Sequence, residues 1–261
     1  MDNNEDYVKQ QINALIHVQD NLCPELFSAS QKLRPEVREV ILNIVEFAGE
    51  LVRETFKQVK LKDVLICGSC AGYLYLQQSE IDVVLLWEMP AALQSPEDFE
   101  EKLKLGNGGY RNRGFNFEIY GRPVNYASYA TMPGGSGIYS VTQNKWLSFP
   151  ERKHFTYSLN DLYKRYVEVD ETVNNFMRSL PKSEKDFIAP ADCQKVENFY
   201  QMLYADALDN ERNTKEKEYN LDFQAFRLFR RLGKTEQLKK YVRDSYFMYF
   251  VSGRNALRQN T

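Results

Sequence analysis

Two acids at alternate positions, Glu80 and Asp82, follow a Gly68-Ser69 pair within the stretch Val64-Leu-Ile-Cys-Gly-Ser-Cys-Ala-Gly-Tyr-Leu-Tyr-Leu-Gln-Gln-Ser-Glu-Ile-Asp-Val-Val-Leu-Leu-Trp87. Side chains alternate along a strand with a period of two, so a strand over 80–87 turns both carboxylates to one face. Upstream, Val64, Leu65 and Ile66 predict a strand that runs into a tight turn at Gly68-Ser69. Ala71, Leu74, Leu76, Gln77 and Gln78 then predict a short helix over Cys70–Gln78. The N-terminus of that helix presents amides that attract phosphate. A phosphate cradle beside paired carboxylates suits nucleotidyl transfer, in which Mg²⁺ bridges a triphosphate and offsets charge in the transition state.

A second reading of the same stretch is redox chemistry. Cys67-Gly-Ser-Cys70 is a C-x-x-C between a strand and a helix, as in thioredoxin-like enzymes. Against it, Ile66 stands where such sites usually carry an aromatic, and the acid-bearing strand would have no role. Small buried residues closing a tight turn account for the two cysteines more simply. Cys23 and Cys193 are remote, and with only His17 and His154 in the chain neither structural zinc nor a Ser-His-Asp or Cys-His arrangement is expected. Gly106-Asn-Gly-Gly109 lacks the Lys-Ser/Thr of a P-loop.

The elements that must position these residues fall into three zones. Residues 1 to about 60 read as helical, with one helix over Tyr7 to Asn21. Val37, Val40, Ile41, Ile44, Val45, Ala48, Leu51, Val52 and Phe56 predict a second, amphipathic helix opening at Pro35 and packing on a sheet. Residues 61 to about 150 are mixed, with strands near 63–67, 80–87, 115–120, 123–131 and 137–142 and a short helix near 96–104. From 151 onwards four helices are predicted: Leu159 to Met177, Asp192 to Arg212, Asp222 to Leu232 and Thr235 to Val251. Ser183-Glu-Lys-Asp186 has the form of a helix-start box. Gly233 fits a helix C-terminus and Thr235 the next N-cap. The expectation is an α+β protein in two parts: a small mixed-sheet core with N-terminal helices over 1–150, and a helical region over 151–261.

Composition narrows the class. At 43% hydrophobic and 27% charged residues, the chain has the apolar content of a folded domain. A net charge of −2 supplies no overall attraction for nucleic acid. No run of about 18 apolar residues is present, so no membrane span is expected. Met1-Asp-Asn-Asn-Glu-Asp6 is acidic and lacks the basic-then-apolar pattern of a secretory signal, which makes the cytoplasm the expected location.

Gly-Ser, a short helix and acid-x-acid in a strand resemble the DNA polymerase β-type nucleotidyltransferase superfamily. Further blocks resemble one branch of it, the uncharacterised nucleotidyltransferases of tailed phages and some bacteria. These are Cys23-Pro-Glu-Leu-Phe27, Leu33-Arg-Pro-Glu-Val-Arg38, Gly68-Ser69 with Tyr73, Gly121-Arg-Pro-Val-Asn125, Ser136-Gly-Ile-Tyr-Ser-Val141 with Trp146, and Glu218-Tyr-Asn-Leu-Asp-Phe-Gln-Ala-Phe-Arg227. The likeness covers most of residues 22 to 240. It implies transfer of a nucleoside monophosphate from an NTP, ATP first among them, to a hydroxyl of unspecified identity, on nucleic acid or protein. Glu80 and Asp82 would hold Mg²⁺, Gly68 and Ser69 would seat phosphates, and Tyr73, Ser136 and Lys145 would complete the nucleotide site. The resembling proteins carry a third carboxylate where this chain has Asn125, and more often Asp where it has Glu80. Asn125 offers a neutral carbonyl oxygen but no base. Glu118 is the nearest acid able to substitute. The alternative is a catalytically impaired nucleotide-binding or interaction protein on the same fold, and the third is the thiol redox protein. Arg122, Arg152 and Lys153 are weaker phosphate candidates. A basic cluster from Arg227 to Arg243 is a candidate grip on a nucleic-acid acceptor.

Overall fold

A computed structural model describes residues 2–56, 59–90, 95, 98–99, 102–103, 117–135, 137–181, 190–213, 215 and 217–243. The chain divides into two compact units, one of Ile16–His154 and one of Met1–Leu15 with Phe155–Thr261. The expected change from sheet to helices near residue 150 is there. The first fifteen residues, however, belong with the C-terminal helices.

In the first unit, α2 (Pro35–Thr55) begins with Pro35 in its first turn, where the missing N–H costs nothing. Val37, Ile41, Ile44, Val45, Ala48 and Val52 form its buried stripe, while Val40 lies outside it and is exposed. The stripe packs on one face of a six-stranded sheet formed by β1 (Lys60–Cys67), β2 (Ile81–Glu88), β3 (Phe117–Ile119), β4 (Arg122–Tyr129), β5 (Ile138–Ser140) and β6 (Lys145–Ser148). The strand order is β3-β4-β2-β1-β5-β6. β2 runs parallel to β4, and the other pairs are antiparallel. The molecule is therefore α+β with a mixed sheet, as expected. β2 sits between two partners and is buried on both faces from Val83 to Trp87, as a near-continuous apolar run should be. The indole of Trp87 is buried and donates to the Ser128 hydroxyl at 3.0 Å, which answers its one polar group.

Two local expectations fail for one reason. No helix forms over 70–78. A single 3-10 turn, Ser69–Ala71, is followed by Gly72 in extended conformation and an irregular path to residue 80. The helix predicted over 7–21 stops at Leu15. The two stretches meet: Gln19 N–H donates to the Tyr73 carbonyl at 2.8 Å, and Gln19 Nε2 donates to the Tyr75 carbonyl at 3.1 Å. Carbonyls that a helix would bond internally are taken by a distant segment, and tertiary partners override a modest local propensity.

At the other edge of the sheet the predicted strand 137–142 is shorter than expected. The chain turns at 141–144, with Asn144 at φ +53°, and returns as β6, a strand outside the predicted set. The segment 22–34 clasps this hairpin. Phe27 stacks on Trp146 at 4.9 Å, Trp146 donates to the Gln31 carbonyl at 2.7 Å, and the Tyr139 hydroxyl accepts from Leu33 N–H and donates to Asn144. Of the strand expected at 115–120, Phe117–Ile119 is observed as β3, and residues 115 and 116 lie outside the described residues. Residues 98–99 and 102–103 are helical, within the helix expected near 96–104, and the glycines at 106, 108 and 109 lie outside the described residues.

The second unit is helical. α1 (Asp2–Leu15) buries Val8, Ile12 and Leu15, a stripe at i, i+4, i+7, and contacts α3 (Leu159–Ser179) and α5 (Leu221–Arg231). α4 (Pro190–Asn213) follows α3, and Phe176 stacks on Phe199 at 3.9 Å between them. Ser158 and Asp161 form a reciprocal capping box at the start of α3. The box expected at 183–186 lies outside the described residues. Gly233, at φ +72°, ends α5 as expected. The next helix, residues 234–243, starts one residue early for a Thr235 cap, and Thr235 is buried in its first turn. The aromatics at 246, 247, 249 and 250 lie outside the described residues.

One buried polar tie holds β1 to the β5–β6 hairpin. The Asp63 carboxylate, 4% exposed, accepts from the Ser140 hydroxyl at 2.8 and 2.9 Å, from Gln143 Nε2 at 3.0 Å and from Val64 N–H at 2.7 Å. Ser140→Ala removes the donor that lies between both oxygens and strips a buried carboxylate of satisfaction, at a cost of about 1–3 kcal/mol. Both tryptophans of the chain, Trp87 and Trp146, lie in this unit, so the urea midpoint read by tryptophan fluorescence should fall in Ser140→Ala.

Candidate functional site

Asp82 is the second residue of β2, half-buried in a strand that is otherwise closed on both faces up to Trp87. Its neighbours are set by the ladders on either side, Cys67 on β1 and Asn125 on β4. Residues paired in register share a face, so Cys67, Asp82 and Asn125 lie side by side on the face opposite α2. The amide of Asn125 donates to Asp82 Oδ1 at 3.1 Å. Asp82 and Asn125 are thus brought together by backbone register and joined by a side-chain bond.

The Gly-Ser turn closes over this carboxylate. Gly68 has φ +70° and ψ −163°, a region open essentially to glycine alone. A Cβ on Gly68 would stand 2.2 Å from Asp82 Oδ2, so the glycine backbone lies against the second carboxylate oxygen. Ala71 N–H bonds the Gly68 carbonyl and Gly72 N–H the Ser69 carbonyl, both at 3.1 Å. The N–H groups of Ser69 and Cys70 lie outside the turn's own bonding. They are what remains of the helix N-terminus expected here, without an aligned helix behind them. The backbone of Gly137 presses on the turn from the other side: a Cβ there would come within 1.8 Å of the Ala71 carbonyl oxygen. Its neighbour Ser136 lies outside the described residues.

The remaining predicted residues scatter. Glu80 stands one residue before β2 and is exposed. Glu118 pairs with Pro123, and Pro123 alternates with Asn125, so Glu118 shares the Asp82 face. Two strand spacings and two residues of rise nevertheless put its Cα roughly 12 Å from that of Asp82. Lys145 pairs with Ser140, which pairs with Leu65, so it too lies on this face, exposed, three strands from Asp82. Tyr73 is buried in the main core, 8% exposed. Among the described residues no group of three or more His, Cys, Asp and Glu side chains converges to hold a metal ion.

Arg122 is built into the scaffold. Its side chain is buried, pairs with Glu25 at 3.1 Å, and donates to the carbonyls of Leu76 at 2.6 Å and Ser79 at 3.4 Å. It holds the irregular 72–80 segment in place instead of meeting phosphate from solvent. Partial burial pushes the Glu25 carboxyl up, but bonds from its own N–H, the Cys23 thiol and Arg122 outweigh this and hold it below its ordinary value. Arg152 pairs with Asp20, and Lys153 with Glu151. In the helical unit Lys234 pairs with Asp170, Lys239 with Glu236, and Arg231 donates to Gln11, so much of the basic cluster is met locally.

The two cysteines of the C-x-x-C occupy different environments. Cys67 packs in a small cluster with Leu65, Val84 and Ile138, whereas Cys70 belongs to the main core. The Cys70 thiol donates to the Ser79 carbonyl at 3.8 Å, a carbonyl that Arg122 also meets, whereas the Cys23 thiol donates to Glu25.

No family model matches the chain, and no curated protein or solved structure is detectably similar to it.

Gly68→Ala forces a side chain into a glycine-only region and into Asp82. It should lower stability by at least about 1–3 kcal/mol from the backbone alone. The measurement is the urea midpoint, with Asp82→Ala in the same background expected to recover part of the loss. Glu25 supplies a pH test. Its folded pKa lies below the ordinary value of 4.5, so its contribution is present above that pH and is lost as pH falls through the folded value. The stability difference between the native chain and Glu25→Gln should shrink steadily below pH 4.5. A difference that grows on acidification would reverse the assignment.

Proposed function

We propose that the Gly68-Ser69 turn with Glu80, Asp82 and Asn125 is a Mg²⁺-dependent nucleoside triphosphate site and that the protein transfers a nucleoside monophosphate to a hydroxyl. The observation that carries this reading is Asp82, held in register beside Asn125 with the side-chain-free backbone of Gly68 against its carboxylate. The donors suit the metal: two carboxylates and an amide carbonyl are hard oxygen ligands, and Mg²⁺ commonly takes one or two carboxylates, with phosphate and water filling the rest. Glu80 and Asp82 would hold it. When bound, Mg²⁺ supplies charge neutralisation on the triphosphate.

The chain's own residues do the remainder. Asn125 orients the Asp82 carboxylate by donating to one of its oxygens. The Ser69 and Cys70 amides and the open space at Gly68 are suited to admit phosphate oxygens close to the backbone. The resemblance to the DNA polymerase β-type superfamily supports the same assignment.

A second reading is favoured by the Asn125–Asp82 bond itself. Asn125 stands where the resembling proteins carry a carboxylate, and an amide accepts no proton. General-base assistance is typically worth about 10²–10⁴-fold in rate. A chain lacking it would bind nucleotide and transfer slowly or not at all.

Thermal unfolding with ATP and Mg²⁺ separates the readings, since a ligand of the native state raises the midpoint. The native chain should be stabilised only when both are present, and Asp82→Ala should lose the effect while folding normally. Equal stabilisation of Asp82→Ala would discard the metal site. Asn125→Asp should raise Mg²⁺ affinity and raise transfer from α-labelled ATP. Brisk native transfer that Asn125→Asp slows would instead place the base elsewhere, with Glu118 the first residue to replace.

A further inference from the structure

We propose that the outer flank of α2 and the turn after β3 form a docking strip for a basic amphipathic helix of a partner protein. Two contacts hold β3 and its turn against α2. The Phe47 and Phe117 rings meet edge to face at 6.3 Å, and the Tyr120 hydroxyl donates to Glu36 Oε1 at 3.5 Å. At about 100° per residue, Val40 and Asn43 lie between Glu36 and Phe47 on the same side of the helix. Val40 is 42%, Phe47 40% and Tyr120 61% exposed, and Phe117 is half-buried. Tyr120, at φ +52°, and Gly121, at φ +75°, make the two-residue turn between Ile119 and Arg122. Asn or Gly suits the Tyr120 position, so the turn itself has no use for an exposed aromatic ring. That ring extends the apolar line of Phe47 and Val40 towards Glu36.

The charges beside this line are of one sign. Glu36, Glu39, Glu46, Glu50 and Glu54 are all exposed. Among the described residues Glu39, Glu46, Glu50 and Glu54 make no ion pair, and Glu36 meets Arg34 only at 3.9 Å. The two arginines of α2 are engaged with the sheet and the turn beside it. Arg38 donates to the carbonyls of Val141 at 2.8 Å and Thr142 at 3.0 Å, and Arg53 lies over the Trp87 ring at 6.0 Å. α2 thus offers an apolar line with an acidic border.

That border selects the occupant. Nucleic acid and anionic lipid surfaces are repelled, since both present phosphates. A second copy of α2 would set glutamates against glutamates across a two-fold axis. A helix bearing Lys and Arg satisfies the border, and such charges steer association and fix orientation. Val40 and Phe47 stand two helical turns apart, so apolar side chains at i, i+3 or i+4, and i+7 of a partner helix match their spacing of about 10 Å. The strip therefore suits helix-in-groove recognition, with the partner's apolar stripe on Val40, Phe47 and Tyr120 and its basic flanks on the glutamates.

The test uses a fluorescein-labelled peptide of two heptads, each Leu-Lys-Lys-Leu-Leu-Lys-Leu, titrated with the full chain and read by fluorescence anisotropy. Saturable binding that weakens with added salt is expected. The same peptide with Glu in place of every Lys should not bind. Phe47→Ala, and separately Glu39→Lys combined with Glu46→Lys, should weaken binding by about fivefold or more. Tyr120→Asn should also weaken it while melting no lower than the native chain, because Asn suits the turn. That melting temperature separates a lost contact from a lost fold. Absence of binding by the native chain, or equal binding of the acidic peptide, overturns the proposal. So does unchanged affinity in Tyr120→Asn and in the double charge reversal.

Discussion

The sheet unit depends on a central strand that is paired on both sides and buried on both faces, yet carries a carboxylate near its start. β2 cannot shift by one residue without turning every apolar side chain to the wrong face, because the period along a strand is two. Its register with β1 and β4 is therefore held by the core residues Val83, Val84, Leu85 and Leu86, far more strongly than Asp82 could hold it. Asp82 inherits that precision. Its neighbours Cys67 and Asn125 are assigned by the same ladders, and Gly68 must lack a side chain because the carboxylate already occupies the space.

A second layer secures the path between turn and strand. Residues 72–80 have no regular structure to hold them, and their carbonyls find partners elsewhere, in Gln19 and in the buried guanidinium of Arg122. Burying an arginine is expensive unless it is paired and hydrogen-bonded, and Arg122 is both, with Glu25 as counter-charge. The only charge pair with a buried arginine among the described residues thus supports the segment that leads from the Gly-Ser turn into β2.

The helical unit follows different rules. α1, α3, α4 and α5 are amphipathic, capped and joined through aromatic contacts such as Phe176 with Phe199 and Tyr204 with Phe226. Many of its surface charges are met locally, by pairs three or four residues apart or by neighbours such as Asp170 and Asp222. Such exposed pairs contribute little stability each, but they leave fewer uncommitted cations than composition suggests. A basic run in a sequence is thus a poor guide to a nucleic-acid surface when acids lie one helix away.

Periodicity alone made the class and most of the elements legible. The stripe of α2, the two strands around the Gly-Ser turn, the helices after residue 155 and the Gly233 terminus are local patterns with local causes, and each is where its residues indicate. Gly68 at a turn and Asp82 in a strand were also legible, since both are statements about neighbours in sequence, whereas Glu80, expected in the same strand, stands one residue before it. Long-range partners decided the rest. The helix expected over 70–78 is undone by Gln19 and Arg122, and the helix expected to reach residue 21 ends where Gln19 turns to meet that segment. Arg122 reads in sequence as a weaker phosphate candidate and is a buried strut in the fold, because its partner Glu25 lies 97 residues away along the chain. Asn125 becomes the neighbour of Asp82 only through parallel pairing. For the two helices and Arg122 the controlling free energy is the satisfaction of buried polar groups, and for Asn125 it is the apolar burial that fixes the register of β2; only folding brings either set of partners together.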